Sequence, residues 1–141
     1  MVPHIHEWKR GSVMIAASVI AVSITYLFML AGYFMSRYRF LHIPVMVSII
    51  LFDLSMPFYL YTHRNWKRRL IDQQEILSFL VWMHIGLLVT LFALYLAQIH
   101  SARRLLKGDQ SARKDHHSQG RALLLVRGLV IFTGAILVSP E

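Results

Sequence analysis

Four stretches of this chain are too apolar and too long to sit anywhere but across a lipid bilayer: residues 12–35, 43–61, 76–99 and 121–138. At ~1.5 Å per residue, helices of these lengths cover ~27–36 Å, enough for a hydrocarbon core of ~30 Å. Inside lipid only helices or closed barrels satisfy the backbone, and these runs are too long and too uniform for the alternating strands of a barrel. The expected fold is all-α, an integral membrane four-helix transmembrane bundle. It forms a single transmembrane domain over residues 1–141, with helices at about 12–35, 43–61, 76–99 and 118–138. The first run exceeds a signal-peptide core and lacks an A-x-A-like end, so it reads as a permanent helix. Pro44 fits the first turn of the second helix, and Pro57 is expected to kink its far end.

Charge is concentrated in what lies between the runs. Only 16% of residues are charged, against 56% hydrophobic, where a soluble domain carries about a quarter charged. The net charge of +8 sits in short loops beside apolar runs, which points to lipid headgroups as partners and away from nucleic acid. An even number of spans puts both termini on one face. Six Lys and Arg flank the spans on that face, counting Lys9, Arg10 and the 62–75 loop, and eight on the other, which tilts the termini outward. The chain has no cysteine but eight histidines and seven methionines. Thiolate sites and covalent haem attachment are therefore excluded, and any metal or haem chemistry must use imidazole, thioether or carboxylate.

Charges within the spans are the first functional candidates, because burying them in lipid is costly. Asp53 lies ~15 Å and Arg127 ~9 Å from the same face, counted along their helices. They are expected to pair inside the bundle, since either one alone would be stranded. His84, entering from the opposite face, counts to nearly the depth of Asp53 and should face the interior with a polar partner. Two readings stand side by side. In one, Asp53 and Arg127 fix helix packing and His84 is a hydrogen-bonded core histidine. In the other, Asp53 orients a ligating His84, as carboxylates orient metal-bound imidazoles.

Helical phase adds to this. At 100° per residue His42, Met46 and Asp53 share one face of the second helix. His116, Gly120, Arg127 and Gly134 share one face of the fourth, if that helix begins before His116. Small residues permit close helix approach, so both stripes should face the bundle. The first helix carries no such polar residue and reads as a packing wall. His42 and His116 immediately precede helices that start on the same face, so they share a level and form the core of a candidate ligand site. Met46, one turn deeper, would suit Cu(I). Bis-imidazole haem ligation would need the two rings about 4 Å apart across an iron. The bland alternative is a pair of unrelated rim histidines. His63 reads as interfacial, His100 and His117 as solvated, and His4 and His6 as tail residues.

The order of these blocks resembles a family of small four-helix membrane proteins that includes the CtaM-type assembly factors of haem-copper cytochrome oxidases. The residues that carry the resemblance are His42 and Met46 in HIPVM, His84 in MHIG, His116 followed by Gly120, and Thr133-Gly134 in FTGAIL. The resemblance spans roughly residues 37–138. It implies a bacterial cytoplasmic membrane protein that helps mature a terminal oxidase, its membrane partner. It also implies that copper or haem is handled through His42, Met46, His84 and His116. Two other functions are consistent with the residues alone: a b-type cytochrome that carries electrons, and a structural accessory subunit of a larger membrane enzyme. An enzyme is not expected, for there is no nucleophile–base pair, phosphate loop or H-E-x-x-H motif.

Overall fold

The computed structural model describes residues 4–63 and 75–138, with side chains from 17 to 63 and from 79 to 137 (and Val13). Four helices account for nearly all of it: α1 (His4–Phe34), α2 (Arg39–His63), α3 (Glu75–Leu106) and α4 (Ala112–Val138). Each contains a segment long and apolar enough to cross a membrane. The chain is a multi-pass membrane protein with the architecture of an all-α four-helix bundle.

The distribution of side chains follows from lipid being the solvent. Large apolar residues such as Phe28, Leu51, Trp82, Leu96, Leu125 and Phe132 are exposed. The polar Asp53, Ser101, Arg127 and Thr133 are buried, beside an apolar core of Met29, Ile49, Leu91, Tyr95 and Leu123. Lipid tails are as apolar as leucine, so nothing drives leucine inward, whereas polar side chains gain by meeting one another. Backbones approach most closely between α3 and α4, then between α1 and α4 and between α1 and α2.

The helices outrun the apolar runs at several ends. The polar stretch 100–120, expected as a loop, is mostly helix, and only residues 107–111 turn. The physical reason lies in residue type: Ser101–Leu106 and Ala112–Gln119 are rich in Ala, Arg, Lys, Leu and Gln, good helix formers that remain helical beyond the hydrocarbon. α3 stops where Gly108 adopts a φ of 93°. The amide of Gly108 donates to Leu105 O and that of Asp109 to Arg104 O, the paired bonds of a Schellman motif, which needs a residue tolerant of positive φ. Asp109 then accepts from the backbone amide and hydroxyl of Ser111 and pairs with Arg104 at 2.6 Å. On the opposite face, α2 runs through Pro57 to His63. Residues 64–74, most of the expected charged loop, lie outside the described residues.

Candidate functional site

The polar interior is organised in three layers along the bundle axis. The middle one joins all four helices. Arg127 Nε donates to Asp53 Oδ2 at 2.9 Å and its Nη2 to Asp53 Oδ1 at 2.8 Å, a bidentate pair with side chains 1% and 9% exposed. α1 contributes Thr25, which accepts from Nη2 at 2.8 Å, and the Met29 sulfur, 3.5 Å from Nη1. α3 contributes the Tyr95 hydroxyl, which donates to Asp53 Oδ2. Every charge in this layer is met, which is the condition for keeping such a pair out of water.

His84 does face the bundle, but its partner is Thr133. The two are 2.7 Å apart through His84 Nδ1 and Thr133 Oγ1. The Thr133 hydroxyl gives its own proton to the carbonyls of Leu129 and Val130, so the imidazole donates here. The idea that Asp53 orients His84 is thus corrected: the Asp53 carboxylate is taken by Arg127 and Tyr95. The depth count took residue 76 as the membrane edge, but α3 has 32 residues, more than a ~30 Å core requires, so the start of its apolar run does not fix its level. The residue of α3 that reaches Asp53 is Tyr95, eleven residues (~16 Å) further along.

The third layer lies at the face where α2 and α4 begin. The rings of His42 and His116 lie 6.3 Å apart between centroids, with planes crossing at 75°. His42 Nδ1 is 2.8 Å from the carbonyl of Gly32. That carbonyl belongs to the last turn of α1, where carbonyls lack a helical donor, so the His42 side chain caps α1 from α2. Gly32 packs against α2: a Cβ there would stand at ordinary contact distance, 3.4 Å from Val45 and 3.5 Å from the Met46 methyl. A carbonyl only accepts, so His42 carries its proton on Nδ1 and its lone pair on Nε2.

His116 reaches the same state by another route. Its Nδ1 is 2.9 Å from Ser101 Oγ, and that hydroxyl donates to Gln119 Oε1 at 2.8 Å. The Ser101 oxygen therefore accepts from His116, leaving the lone pair on Nε2, where the Gln98 amide nitrogen sits 3.3 Å away. The other end of that amide, Gln98 Oε1, is buried and unpartnered. Two imidazoles, each anchored through Nδ1–H with Nε2 left to accept, match the arrangement in which histidine ligates metals.

Of the residues expected at a ligand site, the structure brings together His42 and His116; Met46, one turn further along α2, packs at Gly32. It does not bring His84 to them. Thr133, its partner, is seventeen residues (~25 Å) beyond His116 on α4. Neither do the described residues contain any group of three or more His, Cys, Asp or Glu able to hold a metal. His63 is exposed, stacked on Tyr59 with centroids 4.4 Å apart. His100 is exposed, and exposed His117 meets the Tyr33 hydroxyl at 3.3 Å. The side chains of His4 and His6 lie outside the described residues.

Reading α1 as a mere wall is also corrected. It supplies Thr25 to Arg127, the Gly32 carbonyl to His42, and the Tyr26 hydroxyl to the carbonyl of Leu124 at 3.3 Å. Its polar groups are uncharged and so drew no notice. The supporting residues on α3 were open to detection, because His84, Leu91, Tyr95 and Gln98 recur at seven, four and three and so share one face. Compared with known proteins, the chain has no matching family model, and no curated protein or solved structure is detectably similar to it.

Proposed function

We propose that this chain is a membrane-embedded copper-handling factor, a carrier rather than an enzyme, serving the maturation of a haem-copper terminal oxidase. One observation carries the reading: His42 and His116 face each other at one membrane face, both fixed in the tautomer that leaves Nε2 to a ligand. An imidazole centroid stands ~3 Å from an ion it ligates, from a metal–nitrogen bond of ~2.0–2.1 Å plus the ring radius. A separation of 6.3 Å therefore fits two rings on opposite sides of one ion. Two imidazoles with a thioether one turn along α2 suit Cu(I), which is soft. An incomplete ligand set also favours release, because an acceptor protein completes it. The oxidase as recipient, and the bacterial cytoplasmic membrane as location, rest on the resemblance of HIPVM, MHIG and FTGAIL to the assembly-factor family.

Haem on the same two histidines is the second reading, favoured by the same separation. It fits less well, since His116 is bonded to Ser101 and Gln98 of α3, and a macrocycle would have to part α3 from α4. Titration of the purified protein with Cu(I) against a chromophoric chelator separates these readings. One Cu(I) per chain is expected, weakened about tenfold or more in the His42→Ala, His116→Ala double variant and unchanged in His84→Ala. Wild-type binding by the double variant would overturn the site. A haem absorption band in the purified protein, lost in the double variant, would replace copper with haem. In the host, deletion should lower oxidase activity, restored by the wild-type chain and not by the double variant.

A further inference from the structure

The outward side of α4 carries a feature that the histidine site does not use. Gln110, Arg113, Lys114, His117, Ser118 and Arg121 line an open groove where α4 begins. Gln110 lies in the turn before α4, and the spacing of the others, three and four apart, puts them on one helix face. Arg113, Lys114 and Arg121 are exposed, and none forms an ion pair among the described residues. The neighbouring carboxylates are drawn away, Asp109 bonding Arg104 and Ser111, and Asp115 approaching Arg104 at 3.8 Å. The Tyr33 hydroxyl against His117 closes one flank.

The same face continues into lipid. Leu125, Leu129 and Phe132, all exposed, follow Arg121 at four, eight and eleven residues, within ~80° of it around the helix. Three unpaired cations and the donors Ser118 and Gln110 therefore grade, within about one turn, into an apolar stripe that points at acyl chains. A free anion has no use for such a stripe. A zwitterionic headgroup gains little from three cations beyond what its own ammonium cancels, whereas basic residues at this level attract anionic lipid.

We propose that this groove binds one anionic phospholipid, its phosphate held by Arg113, Lys114 and Arg121 and an acyl chain laid along Leu125, Leu129 and Phe132. The site is independent of copper handling. Native mass spectrometry of the full chain in non-ionic detergent tests it, with phosphatidylglycerol, phosphatidylcholine of the same acyl chains, or inorganic phosphate added. A one-to-one phosphatidylglycerol adduct is expected, with phosphatidylcholine and inorganic phosphate about tenfold weaker or worse. The Arg113→Gln, Lys114→Gln, Arg121→Gln triple variant should lose about tenfold or more, since each basic residue near the surface contributes to the attraction. An Arg37→Gln, Arg39→Gln variant, altered on the same membrane face outside the groove, should bind as wild type. Arg121→Gln alone, expected to weaken binding severalfold, serves if the triple variant does not fold. Equal binding of the two lipids, wild-type binding by the altered groove, an equal loss in the Arg37/Arg39 variant, or inorganic phosphate binding as well as lipid would each overturn the proposal.

Discussion

Removing one member of the Asp53–Arg127 pair should cost more than removing both, and the two single losses should be unequal. Asp53→Leu takes from Arg127 its two charge-assisted hydrogen bonds, at 2.9 and 2.8 Å, leaving Thr25 and the weak Met29 contact. At about 1.5–3 kcal/mol for each bond to a charged group, the loss is about 3–6 kcal/mol, in line with about 3–5 kcal/mol for breaking a buried pair. The guanidinium cannot escape by shedding its proton. Arg127→Leu leaves Asp53 with the Tyr95 hydroxyl and with the option of taking up a proton, so its cost should be smaller. The double Leu variant strands no charge and should be less damaged than Asp53→Leu. Reversible unfolding in mixed micelles of mild detergent and dodecyl sulfate gives the four stabilities of the cycle. A coupling energy of about 2 kcal/mol or more is expected. Single costs that simply add, or an Arg127→Leu variant weaker than Asp53→Leu, would refute the reasoning.

Three further outcomes follow. Gln98→Leu removes the amide beside His116 Nε2 together with its buried unpartnered oxygen, so Cu(I) affinity should rise at little cost in stability; a fall in affinity would mean that Gln98 helps bind the metal. Gly134→Ala places a Cβ 3.3 Å from His84 Cε1, so the ring must give by a few tenths of an ångström; set against about 1 kcal/mol gained by alanine in a helix, the net change in stability should stay within about 1 kcal/mol, with Cu(I) titration unchanged. Asp109 is held below the usual carboxylate range by its hydrogen bond from Ser111 and then by Arg104. A lowered carboxyl stabilises the folded turn above about pH 4 and loses that contribution as pH falls through its depressed value. Protection of the Gly108 and Asp109 amides, their exchange compared with that of an unstructured peptide at the same pH, should therefore fall on acidification below that point, in wild type but not in Asp109→Asn.

How much of this was legible in sequence depends on which physical term decided each feature. The four spans follow from length and apolarity, because a ~30 Å hydrocarbon slab sets both. The Asp53–Arg127 pair follows from the cost of a lone charge in lipid, which leaves few solutions once both sit at helical phase with Met46 and Gly120. The partners of His84 and His116 were not legible. An uncharged imidazole accepts any hydroxyl, amide or carbonyl at its level, and the level depends on where a helix ends. With 32 residues α3 is longer than the hydrocarbon needs, so the start of its apolar run leaves the level of His84 open. The contacts made by α1 come from the Gly32 carbonyl and the Thr25 and Tyr26 hydroxyls, uncharged groups that no composition singles out.

The middle layer and the rim layer are coupled by arithmetic. His116 lies 74 residues after His42, and Arg127 lies 74 residues after Asp53; the buried pair Ile49 and Leu123 keeps the same offset. α2 and α4 start on the same face and run in the same direction, so one register aligns all three pairs. Eleven residues separate the histidine level from the charged level on both helices, ~16 Å and close to three whole turns, which keeps both contacts on one seam. A slip of one residue would move α4 by ~1.5 Å and turn it by ~100°, carrying His116 away from His42 and leaving Asp53 opposite an apolar side chain. An ion pair with a fixed bidentate geometry penalises that slip more steeply than apolar packing does in a lipid solvent, where leucine gains little by facing inward. The costly pair at mid-membrane thus selects the register, and the register, three turns away, sets the distance between the two imidazoles.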